Sequence, residues 1–470
     1  MKAHHTFEIL DESEHESYVQ EQSAKSKSRR EFILAAGAVI LVSVFFFGAV
    51  IASGFVLNSS SNGINAARNS SAEFDPTESF RPLHRHELGE HYVCNDGTPA
   101  VFFTRKSSDP DEHRWIIRFE GGGNCATENT CATRWADRPQ DMTTIWDEEI
   151  FEDEEGGILC ASPHLNPDFY DWNHAYVHYC SSDSWMGTVY EGDEGNDLPY
   201  HFIGSFILEG TLDELLHHHG MTSASQIVVT GLSVGAAGVL NYVDRIYDFL
   251  GEKAHEAEVF FVADAGWQLY NWNFGISTIG TQGEAQYATH RPALDQNCLA
   301  YGYTWECYYP ADFQYQFIEH ADRLVIMNSM FDKMSMGLPL GDPTTWSNAT
   351  LEWALERGHY VVDTVNAQVH NTFLSNCRSH DSMDKIDFTA TTIHDTSEND
   401  ALSEFLHHNG KHALWFMDSE IYPEANPSCP FDQMEWNKIH CGDFWISDCT
   451  EDIANQPHTS NWTHPTKPPV

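Results

Sequence analysis

A serine lies between two glycines in the stretch QIVVTGLSVGAAGVLNYVDRI, residues 226 to 246. Gly231-x-Ser233-x-Gly235 matches the short G-x-S-x-G pattern, in which a strained turn between a strand and a helix lifts a serine above a sheet. An apolar run precedes the pattern, and apolar residues at helical spacing follow it until Gly251. This context indicates a nucleophile, whereas the bare pattern alone would favour a serine in an ordinary turn between a strand and a helix.

A glycine-rich loop, FEGGGNC, follows the earlier apolar run RWIIRF. In enzymes with a nucleophilic serine, such a loop supplies a backbone donor for the developing oxyanion, and the residue after the serine supplies another. The candidates here are the N–H groups of Gly122, Gly123 and Val234. A plain glycine turn and a phosphate-binding loop are the alternatives, but the Lys-Ser/Thr pair that a phosphate-binding loop requires is absent.

A general base and an acid that orients it are expected after the serine, in the order acid then histidine. Asp332 ends the apolar run RLVIMNSMF, which makes it the preferred acid, with Asp264 as the rival. His380, in SNCRSHDSM, follows Asp332 by 48 residues and is one candidate base. Spacing alone leaves other histidines open as the base: His370, His394, His407, His408 and His412.

The elements that must position these side chains alternate along the chain. Short apolar runs, typical of strands buried on both faces, end next to the chemical residues; they are RWIIRF, AYVHYC, QIVVT, EVFFVA and RLVIMNSMF. Helical patterns lie between them, at 201–220 and 239–250. The alternation predicts a mostly parallel sheet flanked by helices, with ligands at the carboxyl ends of its strands.

Residues 32–57 contain no charged side chain and are numerous enough to cross a hydrocarbon core of about 30 Å. Four basic residues lie directly before this run: Lys25, Lys27, Arg29 and Arg30. The positive-inside rule then predicts a single transmembrane signal anchor, with the chain after residue 57 on the lumenal or extracellular side. A cleaved signal peptide is the alternative, although the run is longer than such peptides have.

The predicted organisation around this span has four further parts. They are a cytoplasmic tail at 1–31, a linker at 58–80, one large domain at 81–452 and a disordered, Pro- and Thr-rich tail at 453–470. The chain has 25 basic and 70 acidic residues, a formal charge of −45. Such a charge repels polyanions and argues against nucleic acid as a partner, although it would also suit a salty medium.

All eleven cysteines follow the apolar run, which makes disulfides the expected state in a non-cytosolic compartment. The odd number leaves one thiol free or paired with another chain. No C-x₂-C pair occurs, so no zinc site is predicted, and no metal or organic cofactor is implied. Four N-glycosylation sequons agree with lumenal exposure: Asn58, Asn69, Asn348 and Asn461.

Taken together, the motifs resemble the pectin acetylesterase/Notum family of carboxylesterases. The segments that carry the resemblance are CNDGTPAVFF, RWIIRFEGGGNCATENTCATRW, AYVHYCSSDSWMG, VVTGLSVGAAGVLNYVDRI, VADAGWQLYN, QNCLAYGYTWECYYP, IMNSMFD and CRSH, in this order over most of 90–382. The resemblance implies an α/β-hydrolase-like fold for the domain at 81–452. It also implies a catalytic triad of Ser233, Asp332 and His380.

The same resemblance places the oxyanion hole on Gly122, Gly123 and Val234. It implies two disulfides, which pair Cys125 with Cys131 and Cys298 with Cys307. Trp185 and Trp267 follow strand ends and are candidates to line the acyl or sugar site, with core packing as the alternative.

Two departures from the family pattern bear on substrate choice. Val234 stands where the family generally has alanine, and Asn124 where members often carry an aromatic residue. The expected function is a serine carboxylesterase, acting on O-acetyl esters of cell-wall or extracellular polysaccharide. The segments YCSSDSWMG, DAGW and VDRI are more similar to those of the Notum-like branch, which deacylates a lipidated secreted protein. A membrane-tethered, non-catalytic binding module of the same fold is the third hypothesis.

Overall fold

The computed structural model describes residues 81–429, apart from gaps at 146–149, 152–156, 195, 254–256, 270–278, 337–342 and 386. The predicted tails, the apolar run at 32–57 and the linker lie outside the described residues, as do the sequons Asn58, Asn69 and Asn461. Asn348 is described and is exposed at the start of a helix. In the described part of the chain, no helix is both long and apolar enough to cross a membrane.

Twelve strands lie within the described residues. They are β1 (Leu83–Glu87), β2 (Val101–Arg105), β3 (Arg114–Phe119), β4 (Ile150–Phe151), β5 (Asn173–Val177), β6 (Gln226–Leu232), β7 (Glu258–Asp264), β8 (Leu324–Ser329), β9 (Thr372–Ser375), β10 (Thr392–Ile393), β11 (Thr396–Ser397) and β12 (Trp415–Met417).

Nine α-helices occur in the same ranges: α1 (Glu128–Asp137), α2 (Gly204–His218), α3 (Val234–Lys253), α4 (Ile279–His290), α5 (Gln296–Tyr301), α6 (Lys333–Met336), α7 (Asn348–Gln368), α8 (Asp387–Ala390) and α9 (Glu398–His407). Short 3₁₀ segments lie at Pro139–Asp141, Met221–Ser223, Trp305–Tyr308, Tyr315–Phe317, Ala321–Arg323, Pro343–Thr345 and Ser382–Asp384, and one π-helical turn at Pro310–Gln314.

Ten of the described strands form one sheet, in the order β12-β9-β8-β7-β6-β3-β5-β2-β1-β4. The strands from β12 to β5 in this order are all parallel. At the other end, β2 pairs antiparallel with β5 and β1, and β4 pairs antiparallel with β1. The mostly parallel sheet predicted from the alternation of elements is confirmed, with an antiparallel edge added to it.

The central strands are apolar on both faces because helices and loops cover both sides of the sheet. Val229 of β6 packs in the larger of two clusters of buried apolar residues, together with residues of α2 and α3. Its neighbour Val228 packs in the second cluster, which includes residues of α9. Helix α3 turns Val239, Leu240 and Val243 into the larger cluster. This two-sided burial is the reason that β6 and β7 read as continuous apolar runs.

Candidate active site

Ser233 occupies the turn between β6 and α3 and has a φ of +53°. A positive φ is unusual for a residue with a Cβ and marks local backbone strain. The Ser233 N–H donates to the carbonyl of Asp264 at 2.9 Å, and its carbonyl accepts the N–H of Ala237 at 3.0 Å, which starts the helix. The strand therefore ends and the helix begins on either side of one strained, partly exposed serine.

The two glycines of the motif are required by close backbone approaches. A Cβ on Gly231 would lie 2.3 Å from the carbonyl oxygen of Gly235. A Cβ on Gly235 would lie 2.3 Å from the carbonyl oxygen of Phe119, at the end of β3. Since these neighbours are main-chain atoms, a methyl group fits at neither position unless the strand and helix move apart.

His380 and Asp332 form a hydrogen-bonded pair, with 2.7 Å between His380 Nδ1 and Asp332 Oδ2. Asp332 follows β8, and His380 follows the neighbouring β9. The loop that carries His380 is anchored by the disulfide between Cys377 and Cys429. The histidine is 14% exposed and the aspartate 2%, so the carboxylate lies behind the imidazole, away from solvent.

The surroundings of Asp332 keep it ionised. Burial alone would raise its pKa, but the charge of His380 and a group of hydrogen bonds lower the pKa below its usual value. The donors are His380, the Ser335 hydroxyl at 2.9 Å, and the N–H groups of Met334 and Ser335 at 2.9 and 3.1 Å. Asp332 also changes the pKa of His380. Burial lowers the pKa of His380, but the charge and hydrogen bond of Asp332 raise it by more, so the pKa lies above its usual value.

Asp264, the rival acid, has a different partner. It accepts from the buried Arg118 guanidinium at 3.3 Å and from the Met383 N–H at 3.1 Å. Burial raises the pKa of Asp264 to about 6, against the opposing charge of Arg118. Of the two candidate acids, Asp332 is therefore the one that is hydrogen-bonded to His380.

The glycine loop lies directly against the serine turn. A Cβ on Gly121 would lie 3.2 Å from the Ser233 Cβ, and Gly122 and Gly123 have φ values of +130° and +72°. The Gly122 carbonyl accepts from Arg134 Nη1 at 2.6 Å, which fixes the orientation of that peptide. Val234, the first residue of α3, is 6% exposed. Its N–H is among the helix-terminal groups that have no intrahelical acceptor.

A disulfide between Cys125 and Cys131 ties the end of this loop to α1, and the N–H of Cys125 donates to the Ser182 carbonyl at 3.0 Å. The structure also pairs Cys298 with Cys307. Two long-range disulfides were not predicted: Cys94–Cys180, across 86 residues, and Cys377–Cys429, across 52.

The serine, the histidine and the glycine loop all border one cavity of about 410 Å³. Other described residues that border it include Glu120, Asn124, Arg138, Tyr176, Met186, Gln268, Leu269, Gln286, Tyr308, Met334, Ser335, Arg357, Asp381 and Asp384. Asn124, at the position of one family departure, accepts from Gln286 Nε2 at 2.7 Å and donates to Ser184 at 2.9 Å. A hydrogen-bonded amide thus forms this part of the cavity wall.

Trp185 and Trp267 belong to the core. Trp185 is fully buried, and its indole N–H donates to the Glu120 carbonyl at 2.9 Å. Trp267 is 2% exposed and donates to Thr364 Oγ1 at 3.0 Å. Neither borders the cavity in the described part of the chain, so they are not retained as substrate contacts. Their position after strand ends did not reveal on which side of the backbone each ring packs.

Ser335 is a residue of this site that no sequence motif indicates. It lies in α6, three residues after Asp332, and donates twice to that carboxylate. Arg357 is another, because it reaches the cavity from the long helix α7. A serine near an aspartate and an arginine in an amphipathic helix are both common, so no motif distinguishes them.

The family model for pectinacetylesterase matches residues 83–430, and the chain therefore belongs to the pectinacetylesterase family. It is 30% identical over 340 residues to the palmitoleoyl-protein carboxylesterase Notum of Drosophila melanogaster, a match that covers 70% of this chain and 49% of the relative. It is 31% identical over 224 residues to pectin acetylesterase 4 of Arabidopsis thaliana, covering 47% and 52%. The matches thus span about half the length of these relatives.

The fold agrees with these matches. The crystal structure of the Wnt deacylase Notum from Drosophila superimposes with a TM-score of 0.68 at 28% identity, and the match covers 74% of this chain and all of that one. The family resemblance read from the motifs is confirmed.

Proposed function

We propose that this protein is a serine carboxylesterase that hydrolyses O-acyl esters, with Ser233 as nucleophile, His380 as general base and Asp332 as the residue that orients the base. The observation that carries the proposal is the meeting of a strained Ser233 and the Asp332-paired His380 at one cavity. The names of the relatives support ester hydrolysis as the reaction class.

In the proposed reaction, Ser233 Oγ attacks the ester carbonyl carbon while His380 Nε2 accepts the hydroxyl proton. Asp332 keeps the other ring nitrogen protonated and stabilises the imidazolium that forms. The N–H groups of Gly122, Gly123 and Val234 stabilise the oxyanion of the tetrahedral intermediate. His380 then returns its proton to the leaving alcohol, and water hydrolyses the acyl-enzyme by the same steps.

We propose O-acetyl esters of an extracellular or cell-wall polysaccharide as the substrate. The described wall of the cavity carries charged side chains on several elements, among them Glu120, Arg138, Arg357 and Asp384. A long fatty acyl chain requires an apolar wall, whereas an acetyl group on a hydrated sugar does not. The second candidate is deacylation of a lipidated secreted protein, which the similarity to Notum favours.

The test is hydrolysis of p-nitrophenyl acetate and p-nitrophenyl octanoate by the purified full chain, beside Ser233→Ala and the control Ser223→Ala in an exposed turn. We expect turnover by the wild type and the control, and loss of at least about 10³-fold in Ser233→Ala. A preference for acetate would support the polysaccharide substrate, and a preference for octanoate the lipidated one. No turnover of either ester would favour the non-catalytic binding module.

We also propose that the catalytic domain is lumenal or extracellular and is tethered by a helix at 32–57. Four disulfides in the described residues support an oxidising compartment. The exposed Asn348 sequon provides the test, since only a translocated domain acquires N-glycans. A glycosidase-sensitive mass shift that Asn348→Gln reduces is the expected result, and an unglycosylated chain in a eukaryotic secretory host would contradict it.

A further inference from the structure

A cluster of two histidines and a glutamate lies at the end of α9. Glu404, His408 and His412 each offer a ligand atom, and these atoms lie within 4.8 Å of one another. Glu404 and His412 are exposed and His408 is half-buried, so an ion can reach all three. The imidazole rings of His408 and His412 lie with their centroids 4.1 Å apart.

The backbone brings these residues together by a tight reversal. Glu404 lies on α9, and His408, four residues later, is the C-cap residue whose N–H donates to the Glu404 carbonyl, so both side chains lie on one face of the helix end. Asn409 and Gly410 then have φ values of +50° and +66°, so the chain turns sharply and returns His412 towards His408. The turn packs against the core, because a Cβ on Gly410 would lie 3.0 Å from the ring of Phe260.

Both ends of the reversal are tied to the sheet. Gln226 Nε2 donates to the Leu406 carbonyl at 3.0 Å, between Glu404 and His408. After it, the Leu414 N–H donates to Asn371 Oδ1 at 3.1 Å, and the Leu414 carbonyl accepts from Thr372 at 2.8 Å. The backbone positions of the ligand-bearing residues are thus set by the fold, and only their side chains need to adjust.

The donor set selects the class of metal. Two imidazoles and one carboxylate suit Zn²⁺ and the neighbouring divalent transition metals, whereas Mg²⁺ and Ca²⁺ prefer oxygen ligands. Metal–ligand bonds of about 2.0–2.2 Å place tetrahedral ligand atoms about 3.3 Å apart, so modest rotamer changes would close the cluster around an ion. Three protein ligands leave a position for water.

We propose that Glu404, His408 and His412 form a surface site for a divalent transition metal, with Zn²⁺ as the probe. The site is remote from the proposed catalytic centre. Gln226, which holds the helix end, begins β6, and Ser233 follows the last residue of β6. At about 3.3 Å per residue, the two ends of this strand are roughly 20 Å apart. The bound ion therefore stabilises the junction of α9 with β12 and takes no part in ester hydrolysis.

The experiment is a calorimetric titration of the tag-free full chain, stripped of metal by a chelator, with Zn²⁺. His408→Ala, His412→Ala and Glu404→Gln are compared with the matched control His407→Ala, which removes an adjacent imidazole of the same helix. The comparison is necessary because the chain has 27 histidines, which provide a background of weak binding. Thermal unfolding with and without Zn²⁺ provides the second readout.

We expect one stoichiometric site in the wild type and in His407→Ala. Substituting a residue that only supports a metal ligand lowers metal affinity by about 10–100-fold. Removing either ligand histidine should therefore lower the Zn²⁺ affinity of this site by more than that, and Glu404→Gln should lower it by at least about tenfold. Zn²⁺ should raise the unfolding temperature of the wild type and of His407→Ala only. Identical titrations for the wild type and the His408→Ala/His412→Ala protein would overturn the proposal, as would an equal loss in His407→Ala.

Discussion

At the scale of single residues, two buried carboxylates on neighbouring strands have opposite electrostatic surroundings. Asp264 ends β7 and faces the Arg118 guanidinium, and burial raises its pKa to about 6. Asp332 follows β8 and faces His380, and the charge of His380, together with the hydrogen bonds, outweighs burial and lowers the pKa of Asp332. The first arrangement stabilises a core ion pair, whereas the second can hold an imidazole in one tautomer.

Replacing each aspartate by asparagine should separate these roles. We expect Asp332→Asn to lower kcat by about 10⁴-fold, because an amide stabilises the wrong tautomer of His380. Asp264→Asn should instead lower the free energy of unfolding by up to about 3–5 kcal/mol, because it weakens a buried ion pair, and should leave kcat largely intact. Ester turnover and thermal unfolding of both variants decide the matter, and the reverse pattern would make Asp264 the acid of the triad.

The pH dependence of turnover offers a second test at this scale. A general base acts when it is neutral, and the net effect of Asp332 on the buried His380 is to raise its pKa above 6.5. We therefore expect kcat/KM of the wild type to fall with acidification from a midpoint above pH 6.5. Removing the negative charge in Asp332→Asn should move this midpoint to lower pH. An unmoved midpoint in the residual activity would contradict the pairing.

The sequence predicted the residue types at this site better than it predicted their partners. Asp264 and Asp332 both lie at the ends of apolar runs, so their positions in the sequence distinguish them only weakly as the acid of the triad. The contact that distinguishes them joins Asp264 to Arg118 of β3, 146 residues earlier. His380 was one of several histidines until the family motifs distinguished it. Side chains that act through long-range contacts leave no local pattern to read.

At the scale of elements, the serine turn depends on the close approach of α3 to the end of β3. A Cβ on Gly235 would lie 2.3 Å from the Phe119 carbonyl oxygen and 2.6 Å from that of Glu120. These two residues lead directly into the glycine loop. The separation of helix and strand therefore also sets the position of the proposed oxyanion donors relative to Ser233.

Gly235→Ala should consequently damage both stability and catalysis. We expect a loss of about 1–3 kcal/mol or more in the free energy of unfolding, from forced overpacking, together with a lower kcat/KM. Gly251→Ala is the matched control on the same helix, since no heavy atom lies within 4 Å of its added Cβ. It should stabilise by about 0.5–1 kcal/mol, as an alanine does inside a helix. Equal effects of the two substitutions in thermal unfolding would refute the packing argument.

The elements themselves were largely predictable, and their exceptions have physical causes. The runs at 226–230 and 258–263 correspond to β6 and β7, because strands buried on both faces are apolar throughout. The run AYVHYC corresponds to β5 only as far as Val177, since the residues after it leave the sheet and reach the Cys94–Cys180 disulfide. Disulfide connectivity depends on tertiary proximity, which eleven cysteines in a sequence cannot specify.

At the scale of the whole molecule, the dominant property is a formal charge of −45 on 470 residues. Like charges at this density repel one another in the compact state more than in the expanded chain, and this repulsion lowers the free energy of unfolding. Dissolved salt shortens the range of the repulsion, from a Debye length of about 8 Å at physiological ionic strength to about 3 Å at 1 M. The folded state should therefore gain stability as salt is added.

We expect the unfolding temperature of the full chain to rise by a few degrees between low salt and about 1 M NaCl, since 1 kcal/mol corresponds to about 2 °C or slightly less in a chain of this size. Sucrose, which strengthens burial without screening charge, is the control for general solute effects. A rise with NaCl at concentrations where sucrose has little effect would assign the gain to screening. An unfolding temperature that is unchanged or falls as NaCl is added would mean that the charges are already compensated by their arrangement, and that the acidic surface carries no net repulsive cost.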